Sequence, residues 1–249
     1  MEINKIYHED CMFTMSKMDD NFVDIVVTSP PYNIGKNRLN GGTDNLTIGS
    51  YENYSDDLEK EEYFKQTKKW IDELLRVTKY HIFWNIQEVK GNKGIIKFIL
   101  NEYSDVIKET FIWAKTNPAA CIIDTMCGSG YEYIFCFSKD RPETRKFYYC
   151  NFNNRKTDYI NNILIKPSNV GNSETKGHSF AFGDWLPNFF INYFSKEGDL
   201  VYEPFTGTGT TLKSAHEYKR KWIGSETSKE YVDLSNKRLD PYLRQTKLF

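Results

Sequence analysis

Short apolar runs alternate with helical patterns along this chain, and no other sequence feature constrains its fold more. Six runs, several rich in β-branched or aromatic residues, have the length of buried strands. They occupy residues 23–27, 81–84, 110–113, 133–137, 200–203 and 221–224. Apolar residues also recur at helical spacing in 58–75, with Ser55, Asp56 and Asp57 as possible N-caps, and in 210–219 and 228–239. Because parallel strands need crossover connections, the alternation predicts an α/β fold whose mostly parallel sheet carries helices on both faces.

The chain is long enough to bury a sizeable core as one domain. It has 249 residues, of which 39% are hydrophobic and 16% aromatic, and a chain of this length need not divide. We therefore predict a single domain over residues 1–249. Two polar, loop-like stretches interrupt the alternation, at about 33–54 and 141–177. Long insertions beside a site often carry substrate recognition, which is our hypothesis for both.

The charge of the chain excludes one simple mode of nucleic-acid binding. The net charge is −1, so the protein has no overall basic field that would attract nucleic acid, and any such surface must be local. One basic stretch, interleaved with aromatic residues, is the candidate, and a merely solvated face is the alternative. Its cations are Lys139, Arg141, Arg145, Lys146, Arg155 and Lys156.

Cysteine usage and hydropathy bound the environment of the protein. The five cysteines have no paired metal-ligand spacing and are odd in number, so we expect neither a metal site nor a disulfide framework. No apolar run approaches the roughly 18 residues that a membrane span needs. A cytoplasmic protein with no membrane anchor is the expectation.

A proline pair ends the first predicted strand in an elbow. Thr28, Ser29, Pro30, Pro31 and Tyr32 directly follow residues 23–27. Ligands of open α/β sheets bind outside the carboxyl ends of the strands, where the prolines fix backbone carbonyls. Ser29 and the Pro30 carbonyl can accept hydrogen bonds from an amino group, and Tyr32 offers a ring for stacking. From this segment alone, a packed strand exit without a ligand is an equal alternative.

A glycine-rich loop follows the strand at 200–203 and precedes a helix. It contains Glu203, Phe205, Gly207, Gly209 and Thr210. The loop lacks the Gly-Lys-Ser/Thr of a P-loop, and Leu212 stands where a dinucleotide fingerprint has its third glycine. About twenty residues further on, Glu226 follows the next strand, where acids of nucleotide-binding folds hold ribose hydroxyls. The order favours a nucleoside-bearing cofactor over a plain glycine turn with a surface glutamate.

Together these segments resemble the amino-methyltransferase family of DNA-modifying enzymes. Their order is that of the beta class, in which the Ser/Asp/Asn-Pro-Pro-Tyr motif precedes the glycine loop. The resemblance extends from about residue 6 to residue 239 and is strongest at 10–36 and 198–239. It implies a Rossmann-like fold, S-adenosylmethionine as cofactor, and double-stranded DNA from which the target base is flipped. A companion restriction endonuclease and a homodimer are further partners that it suggests.

The resemblance also implies roles for individual residues. The catalytic motif would be Ser29, Pro30, Pro31 and Tyr32. The cofactor would be held by Asp10 and Cys11 near the adenine, by Glu226 at the ribose, by Glu203, Phe205, Gly207, Gly209 and Thr210 at the methionine end, and by His178, for which a structural hydrogen bond is the alternative. A second glycine pair, Gly128 and Gly130, is interpreted as a turn, because 131–139 alternates toward a strand. Glu132 and Lys139 there resemble the strand-and-lysine segment of the family.

The first residue of the elbow bears on the target base. Ser29 resembles N4-cytosine enzymes, whereas Asp is usual in N6-adenine enzymes, so the resemblance favours cytosine N4 with adenine N6 as the alternative. No cysteine follows the prolines, so a covalent ring-carbon mechanism would lack its nucleophile. An RNA or protein-amide methyltransferase, and an S-adenosylmethionine-binding module without catalysis, are more distant alternatives.

Overall fold

The computed structural model describes residues 1–35, 56–118, 125, 127–152, 159–168 and 183–245. Across these residues the backbone forms one eight-stranded sheet in the order β1-β8-β7-β2-β3-β5-β4-β6. The strands are β1 (Lys5–His8), β2 (Val23–Thr28), β3 (Thr78–Ile86), β4 (Ile107–Lys115), β5 (Tyr131–Ser138), β6 (Ile163–Lys166), β7 (Leu200–Glu203) and β8 (Lys221–Glu226). β5 pairs antiparallel with both of its neighbours, and every other pairing in the described sheet is parallel.

Helices cover both faces of the sheet, as the sequence predicts. They are α1 (Cys11–Ser16), α2 (Lys60–Val77), α3 (Ile95–Glu102), α4 (Trp185–Phe194), α5 (Thr210–Glu217) and α6 (Lys229–Gln245). Buried side chains of α1, α2 and α3 form one apolar cluster with the sheet. Those of α4, α5 and α6 form a second cluster. Successive strand residues alternate between the two clusters, with Val26 in the first and Val27 in the second, because strand side chains point to opposite faces.

The strand order creates a switch point between β7 and β2. From β7 the chain crosses through α5 to β8 on one side, and from β2 it crosses through α2 to β3 on the other. α5 and α2 lie on opposite faces of the sheet. The segments that leave β7 and β2 therefore diverge and open a crevice at the carboxyl ends of these strands, where α/β folds bind ligands. We call this side of the sheet the carboxyl edge, and the other side the amino edge.

All six predicted strands and the three predicted helices are present, whereas two strands and the helices α1, α3 and α4 were not predicted. β1 and β6 were not predicted, since each has four residues and only one of them is buried. α2 begins at Lys60, with Glu59 at its N-cap rather than Ser55, Asp56 or Asp57. Asp56 instead accepts the backbone N–H of Asn33 at 2.6 Å and of Ile34 at 3.2 Å. It thereby fixes the chain just after the proline pair.

The two predicted insertions are described in part. Of 33–54 only residues 33–35 belong to the described chain. Residues 141–152 follow β5 at the amino edge, where Tyr149 stacks on Tyr80 with ring centroids 3.3 Å apart. From there the insertion returns to the carboxyl edge through β6, beyond which Ser168 contacts Asn117.

The described cations of the basic stretch lie just after β5 and in the first part of this insertion. Lys139 donates to the Asn21 carboxamide at 2.5 Å, and Arg145 pairs with Glu109 at 2.7 Å. Both contacts are at the amino edge, away from the crevice. Arg155 and Lys156 lie outside the described residues. DNA contact by this stretch stays a prediction without support from the placement of Lys139 and Arg145.

Neither a membrane-spanning helix nor a cluster of potential metal ligands is found among the described residues. No helix among them is long and apolar enough to cross a membrane. No group of three or more His, Cys, Asp or Glu side chains among them has the arrangement of a metal site.

His81 gives the fold a measurable dependence on pH. It is fully buried at the amino edge, where its Nε2 donates to the Tyr149 carbonyl at 2.8 Å and its Nδ1 faces the Ser138 hydroxyl at 2.9 Å. Burial lowers the pKa of His81 from 6.5 to about 4. The unfolded chain therefore binds a proton that the folded chain excludes, and stability is lost as the pH falls from about 6.5 toward 4.

We expect His81 to contribute a slope of up to ~1.4 kcal/mol per pH unit in the free energy of unfolding over this window. Urea unfolding of the unmutated and His81→Gln proteins between pH 7 and about 5 measures it. The substitution should flatten the slope, whatever its effect on stability at neutral pH. The same change at the exposed His8 is the control, and equal slopes for His81→Gln and the unmutated chain would contradict the assignment.

Candidate active site

A buried carboxylate joins the two segments that diverge at the switch point. Glu203, at the end of β7, is 2% exposed. The hydroxyl of Thr28, the last residue of β2, donates to its Oε1, and the Thr211 hydroxyl donates to its Oε2 at 2.8 Å. The backbone N–H of Phe205 also donates to Oε1, at 3.1 Å. The strand before the proline pair and the start of α5 therefore hold the same side chain.

Burial makes this carboxylate titrate near neutrality. It raises the pKa of Glu203 from 4.5 to about 8, while the hydrogen bonds from Thr28 and Thr211 act in the opposite direction. A positive charge placed beside Glu203 would favour the carboxylate and lower its pKa again. Glu203 is thus an acceptor whose charge depends on what binds in the crevice.

The loop that follows β7 depends on two glycines in left-handed conformation. Gly207 has φ 51° and Gly209 has φ 78°, values that side-chain-bearing residues adopt only with strain. Gly209 is the N-cap of α5, so the helix N-terminus faces the crevice. α6 fixes the loop from behind, because the Ser235 hydroxyl donates to the Gly207 carbonyl at 2.7 Å and the Arg238 guanidinium donates to the Thr208 carbonyl. We call residues 203–210 the glycine loop.

The acid after β8 holds the glycine loop from the other side. Glu226 accepts the backbone N–H of Gly207 at 2.8 Å through Oε2 and that of Ser228 at 2.8 Å through Oε1. It is 6% exposed, and burial raises its pKa above the usual value. Each oxygen keeps acceptor capacity beyond these bonds, since a carboxylate has about four lone-pair sites.

The first strand brings its own predicted residues to the same edge. β1 pairs in parallel with β8, with His8 opposite Glu226. Asp10 caps α1 by accepting the Met12 N–H at 2.7 Å, and Cys11 is buried at the start of that helix. Burial raises the pKa of the Cys11 thiol well above its usual value, so it is an apolar wall rather than a nucleophile.

The proline elbow, residues 29–32, lies at the end of β2 beside the glycine loop. The Ser29 hydroxyl donates to the Tyr32 hydroxyl at 2.9 Å, and Tyr32 donates in turn to Glu132 Oε2 at 2.9 Å. The Tyr63 hydroxyl donates to the Pro31 carbonyl at 2.7 Å and fixes the second proline against α2. Burial and the nearby Glu132 raise the pKa of the Tyr32 phenol well above its usual range. Tyr32 therefore remains a protonated donor.

Behind the elbow, buried polar side chains form a continuous network across four neighbouring strands. Asn85 of β3 donates to Tyr32 at 2.8 Å and to Glu132 of β5 at 2.7 Å. Lys115, the last residue of β4, pairs with the other Glu132 oxygen at 2.7 Å. We call Ser29, Tyr32, Asn85, Glu132 and Lys115 the elbow network. Its members lie at the carboxyl edge, because β5 runs antiparallel and so begins where its neighbours end.

The structure brings most of the predicted site residues to one edge of the sheet. The elbow, the glycine loop, Glu226, Asp10 and Cys11 all follow strands whose carboxyl ends are adjacent. His178 lies outside the described residues. The prediction that a strand rather than a helix follows Gly128 and Gly130 is confirmed, since β5 begins at Tyr131, and residues 127–130 have no regular secondary structure.

Sequence reasoning missed two members of the elbow network and misplaced one lysine. Asn85 and Lys115 were not predicted, and the lysine that accompanies Glu132 is Lys115 rather than Lys139, which lies at the amino edge. A usable signal was present in the sequence. Asn85 and Glu132 are polar residues flanked on both sides by large apolar or aromatic residues of their strands, and buried polar groups of this kind need partners.

Comparison with known proteins identifies the family to which the chain belongs. A family model of DNA methylases matches residues 23–237, most of the chain, including the elbow, the glycine loop and Glu226. The chain belongs to this family. It is thus a DNA methyltransferase of the N4/N6 amino-methyltransferase type, with the Rossmann-like fold that the sequence predicts.

Individual relatives cover nearly all of the methylase. It is 26% identical over 235 residues to the type II methyltransferase M.HpaI of Haemophilus parainfluenzae, covering 91% of this chain and 71% of that one. It is 28% identical to the orphan methyltransferase M.BamHII of Bacillus amyloliquefaciens, covering 90% and 91%.

Solved structures share the fold of the methylase. The PvuII DNA methyltransferase (cytosine-N4-specific) superposes with a TM-score of 0.72 at 20% identity, covering 98% of this chain and 93% of that one. M1.HpyAVI in complex with SAM gives 0.65 at 21% identity, covering 95% and 98%.

Gly224, in the second half of β8, allows a test of how tightly the glycine loop of the methylase packs against this strand. A Cβ on Gly224 would lie 2.4 Å from Thr206 Oγ1 and 2.8 Å from Leu212 Cδ1, so Gly224→Ala must displace the side chains of Thr206 in the glycine loop and Leu212 in α5. We expect it to cost about 1–3 kcal/mol of unfolding free energy. Gly130→Ala is the matched control, because no heavy atom lies within 4 Å of its Cβ position. Urea unfolding of both variants measures this, and equal stabilities would contradict the packing described.

Proposed function

We propose that this methylase transfers a methyl group from S-adenosylmethionine to the exocyclic N4 of a cytosine flipped out of double-stranded DNA. The observation that carries the proposal is Ser29, a neutral hydroxyl at the first position of the elbow. Its proton is donated to Tyr32, which leaves its lone pairs to accept from an amino group. The second amino hydrogen has the Pro30 carbonyl as its acceptor.

The residues at the switch point fit the methyl donor. The left-handed Gly207 and Gly209 allow a ligand close to the backbone, and Glu226 keeps acceptor sites for ribose hydroxyls. Glu203 and Phe205 would line the methionine end, with Thr210 at the helix N-terminus, while Asp10 and Cys11 would border the adenine. His178 stays a predicted member of the pocket. When bound, S-adenosylmethionine supplies an electrophilic methyl group on a sulfonium.

The elbow can prepare an exocyclic amine for this transfer without a covalent adduct. Hydrogen bonds from the amine to Ser29 and the Pro30 carbonyl withdraw its hydrogens from the plane of the base and direct the nitrogen lone pair at the methyl carbon. The nitrogen–carbon bond would form as the donor's carbon–sulfur bond breaks, the electron pair would pass to sulfur, and the nitrogen would release one proton to Ser29, which accepts one of its hydrogens. Orientation of the two reactants supplies much of the rate, on the order of 7–11 kcal/mol in favourable cases.

Two considerations favour cytosine over adenine. Serine at the first motif position resembles N4-cytosine enzymes, and the PvuII structure that shares the fold carries a cytosine-N4-specific name. Adenine N6 is the second candidate, because its amino group offers the same two hydrogens to the same two acceptors. Both bases would be flipped into the site, since neither amine is accessible to the elbow within a duplex.

The positions at which the two insertions begin and end support a role for them in DNA contact. Residues 33–35, the start of the first insertion, directly follow the elbow, and β6, within the second insertion, ends at the carboxyl edge. We propose that 33–54 and the part of 141–177 beyond β6 contact the DNA around the flipped base. Several relatives carry type II names, which supports a restriction-modification context. A companion endonuclease and a homodimer remain expectations of the same proposal.

Methyl transfer from labelled S-adenosylmethionine to unmethylated DNA, followed by nucleoside mass spectrometry, tests the function and the base together. We expect N4-methylcytosine, with a rate at least ~100-fold lower in Ser29→Ala. Ser104→Ala, which removes an exposed hydroxyl bonded only to Asp105 among its described contacts, is the control and should match the unmutated rate. N6-methyladenine would overturn the base assignment, and cofactor binding without DNA methylation would overturn the function.

The pKa of Glu203 makes cofactor binding depend on pH. In the proposed complex the donor's ammonium group lies near Glu203 and favours its charged form. Below about pH 8 the free protein is partly protonated there and must release a proton on binding. The dissociation constant for S-adenosylmethionine should therefore fall as the pH rises from about 6 to about 8.

Calorimetric titrations in two buffers of different ionisation enthalpy measure this proton release directly. The unmutated methylase should release a fraction of a proton at pH 7, and Glu203→Gln should release none. Glu217→Gln, an exposed change on α5, is the control. Equal proton release by all three proteins would contradict the role of Glu203.

A further inference from the structure

The elbow network is more extensive than fixing the proline pair requires. It links Ser29 to Lys115 through hydrogen bonds or an ion pair of 2.7–2.9 Å, across β2, β3, β5 and β4. Glu132 is 7% exposed and Asn85 is 1% exposed. Glu132 is the only carboxylate among the described residues that contacts the elbow side chains. A charged group buried this close to the reacting atoms needs an explanation.

The Lys115–Glu132 pair at one end of the network determines which atom donates in each of its hydrogen bonds. Glu132 pairs with Lys115 and accepts from both Asn85 and Tyr32, so it acts as an acceptor only. The single phenol proton of Tyr32 is therefore directed at Glu132, at 2.9 Å, rather than at the backbone carbonyl oxygen of Asn85, at 3.4 Å. Tyr32 must then accept the proton of Ser29. Ser29 consequently presents lone pairs, and not a proton, to any donor outside the network.

We propose that Glu132 is a positioning residue for methyl transfer, acting on the target amine through Tyr32 and Ser29. This inference rests on the proposed function. Before transfer, Glu132 keeps Ser29 in the acceptor state that an amino group requires. As the nitrogen bonds to the methyl carbon, its proton passes to Ser29 Oγ, the Ser29 proton passes to Tyr32, and the Tyr32 proton passes to Glu132. Lys115 and Asn85 hold the carboxylate in place for this transfer.

The network is not optimised for stability alone. Asn85 Oδ1 is buried and has no hydrogen-bond partner among the described residues, because its Nδ2 must face Tyr32 and Glu132. An unsatisfied buried acceptor costs about 1–3 kcal/mol. Burial of the Lys115–Glu132 pair adds a desolvation cost that its mutual attraction offsets only with good geometry. Unfavourable contributions of this kind to stability are typical of functional sites.

A double-mutant cycle separates this role from a structural one. Tyr32→Phe removes the hydroxyl that relays the effect but keeps the aromatic ring, and Glu132→Gln removes the charge with little change of shape. Each single change should lower the single-turnover rate of methyl transfer about 10–100-fold, with the dissociation constants for cofactor and DNA within ~2-fold of the unmutated values. If Glu132 acts through Tyr32, the double variant should be no more than ~3-fold slower than the slower single one.

The control is Glu109→Gln. Glu109 lies on the neighbouring strand β4, near the amino edge, and its carboxylate pairs with Arg145. This substitution should leave the rate unchanged. Multiplicative effects of Tyr32→Phe and Glu132→Gln, or a normal rate in Glu132→Gln, would overturn the role of Glu132 in an active enzyme. Absence of transfer by the unmutated methylase would instead overturn the proposed function and this role with it.

A measurement independent of activity checks the physical link. With ¹³Cζ-labelled tyrosine, the resonance lost in Tyr32→Phe identifies Tyr32. Its chemical shift should move in Glu132→Gln and stay in place in Glu109→Gln, since only Glu132 accepts the phenol proton. A Tyr32 resonance unaffected by Glu132→Gln would overturn the hydrogen bond on which the proposal depends.

Discussion

The hydrogen bonds that Glu203 accepts from Thr28 and Thr211 are the constraint on which the rest of the site depends. They join the last residue of β2 to the first turn of α5 through one buried side chain. The sheet order makes this possible, because β2 and β7 are neighbours at the point where the chain diverges to opposite faces. A methyl donor over the glycine loop and a base on the proline elbow would thereby be held at a fixed separation, which a transfer between two bound reactants requires.

Both halves of the site are built from rigid backbone with polar side chains behind it. The glycine loop is held by Glu226, Ser235 and Arg238, the elbow is held by Tyr63, and Asp56 holds the backbone that directly follows the elbow. Preorganisation of this kind lets the site bind its reactants without paying to order its own groups. It also explains why two acids expected only to contact cofactor, Glu203 and Glu226, are occupied by the loop's own backbone in the structure.

Much of this architecture could be predicted from the sequence, for reasons that are local. A strand, a glycine turn and a helix are encoded within about ten residues each, and parallel strands bring their carboxyl ends to one edge. The elbow network could not be predicted in the same way. Only the Ser29–Tyr32 bond is local, and the contacts of Glu132 with Asn85 and Tyr32 join residues 47 and 100 positions apart. They depend on the antiparallel insertion of β5 between β3 and β4, which apolar patterns do not encode.

The other differences between the predicted and the observed structure have equally specific causes. β6 is a short edge strand with Ile163 and Ile165 exposed, so it lacks the alternation of a half-buried strand. Asp56 has the chemistry of a helix cap but binds backbone next to the elbow. Lys139 and Lys115 both lie at a strand end, and only the strand directions distinguish the edge at which each is placed.

The most direct test of the proposed site is a crystal structure of the methylase with a non-reactive analogue of S-adenosylmethionine and duplex DNA. We expect a cytosine outside the helix, with its N4 about 3 Å from Ser29 Oγ and from the Pro30 carbonyl oxygen. The analogue should lie over Gly207 and Gly209, with its transferable group directed at N4. A base that remains stacked in the duplex, or an amino group that faces away from Ser29, would contradict it.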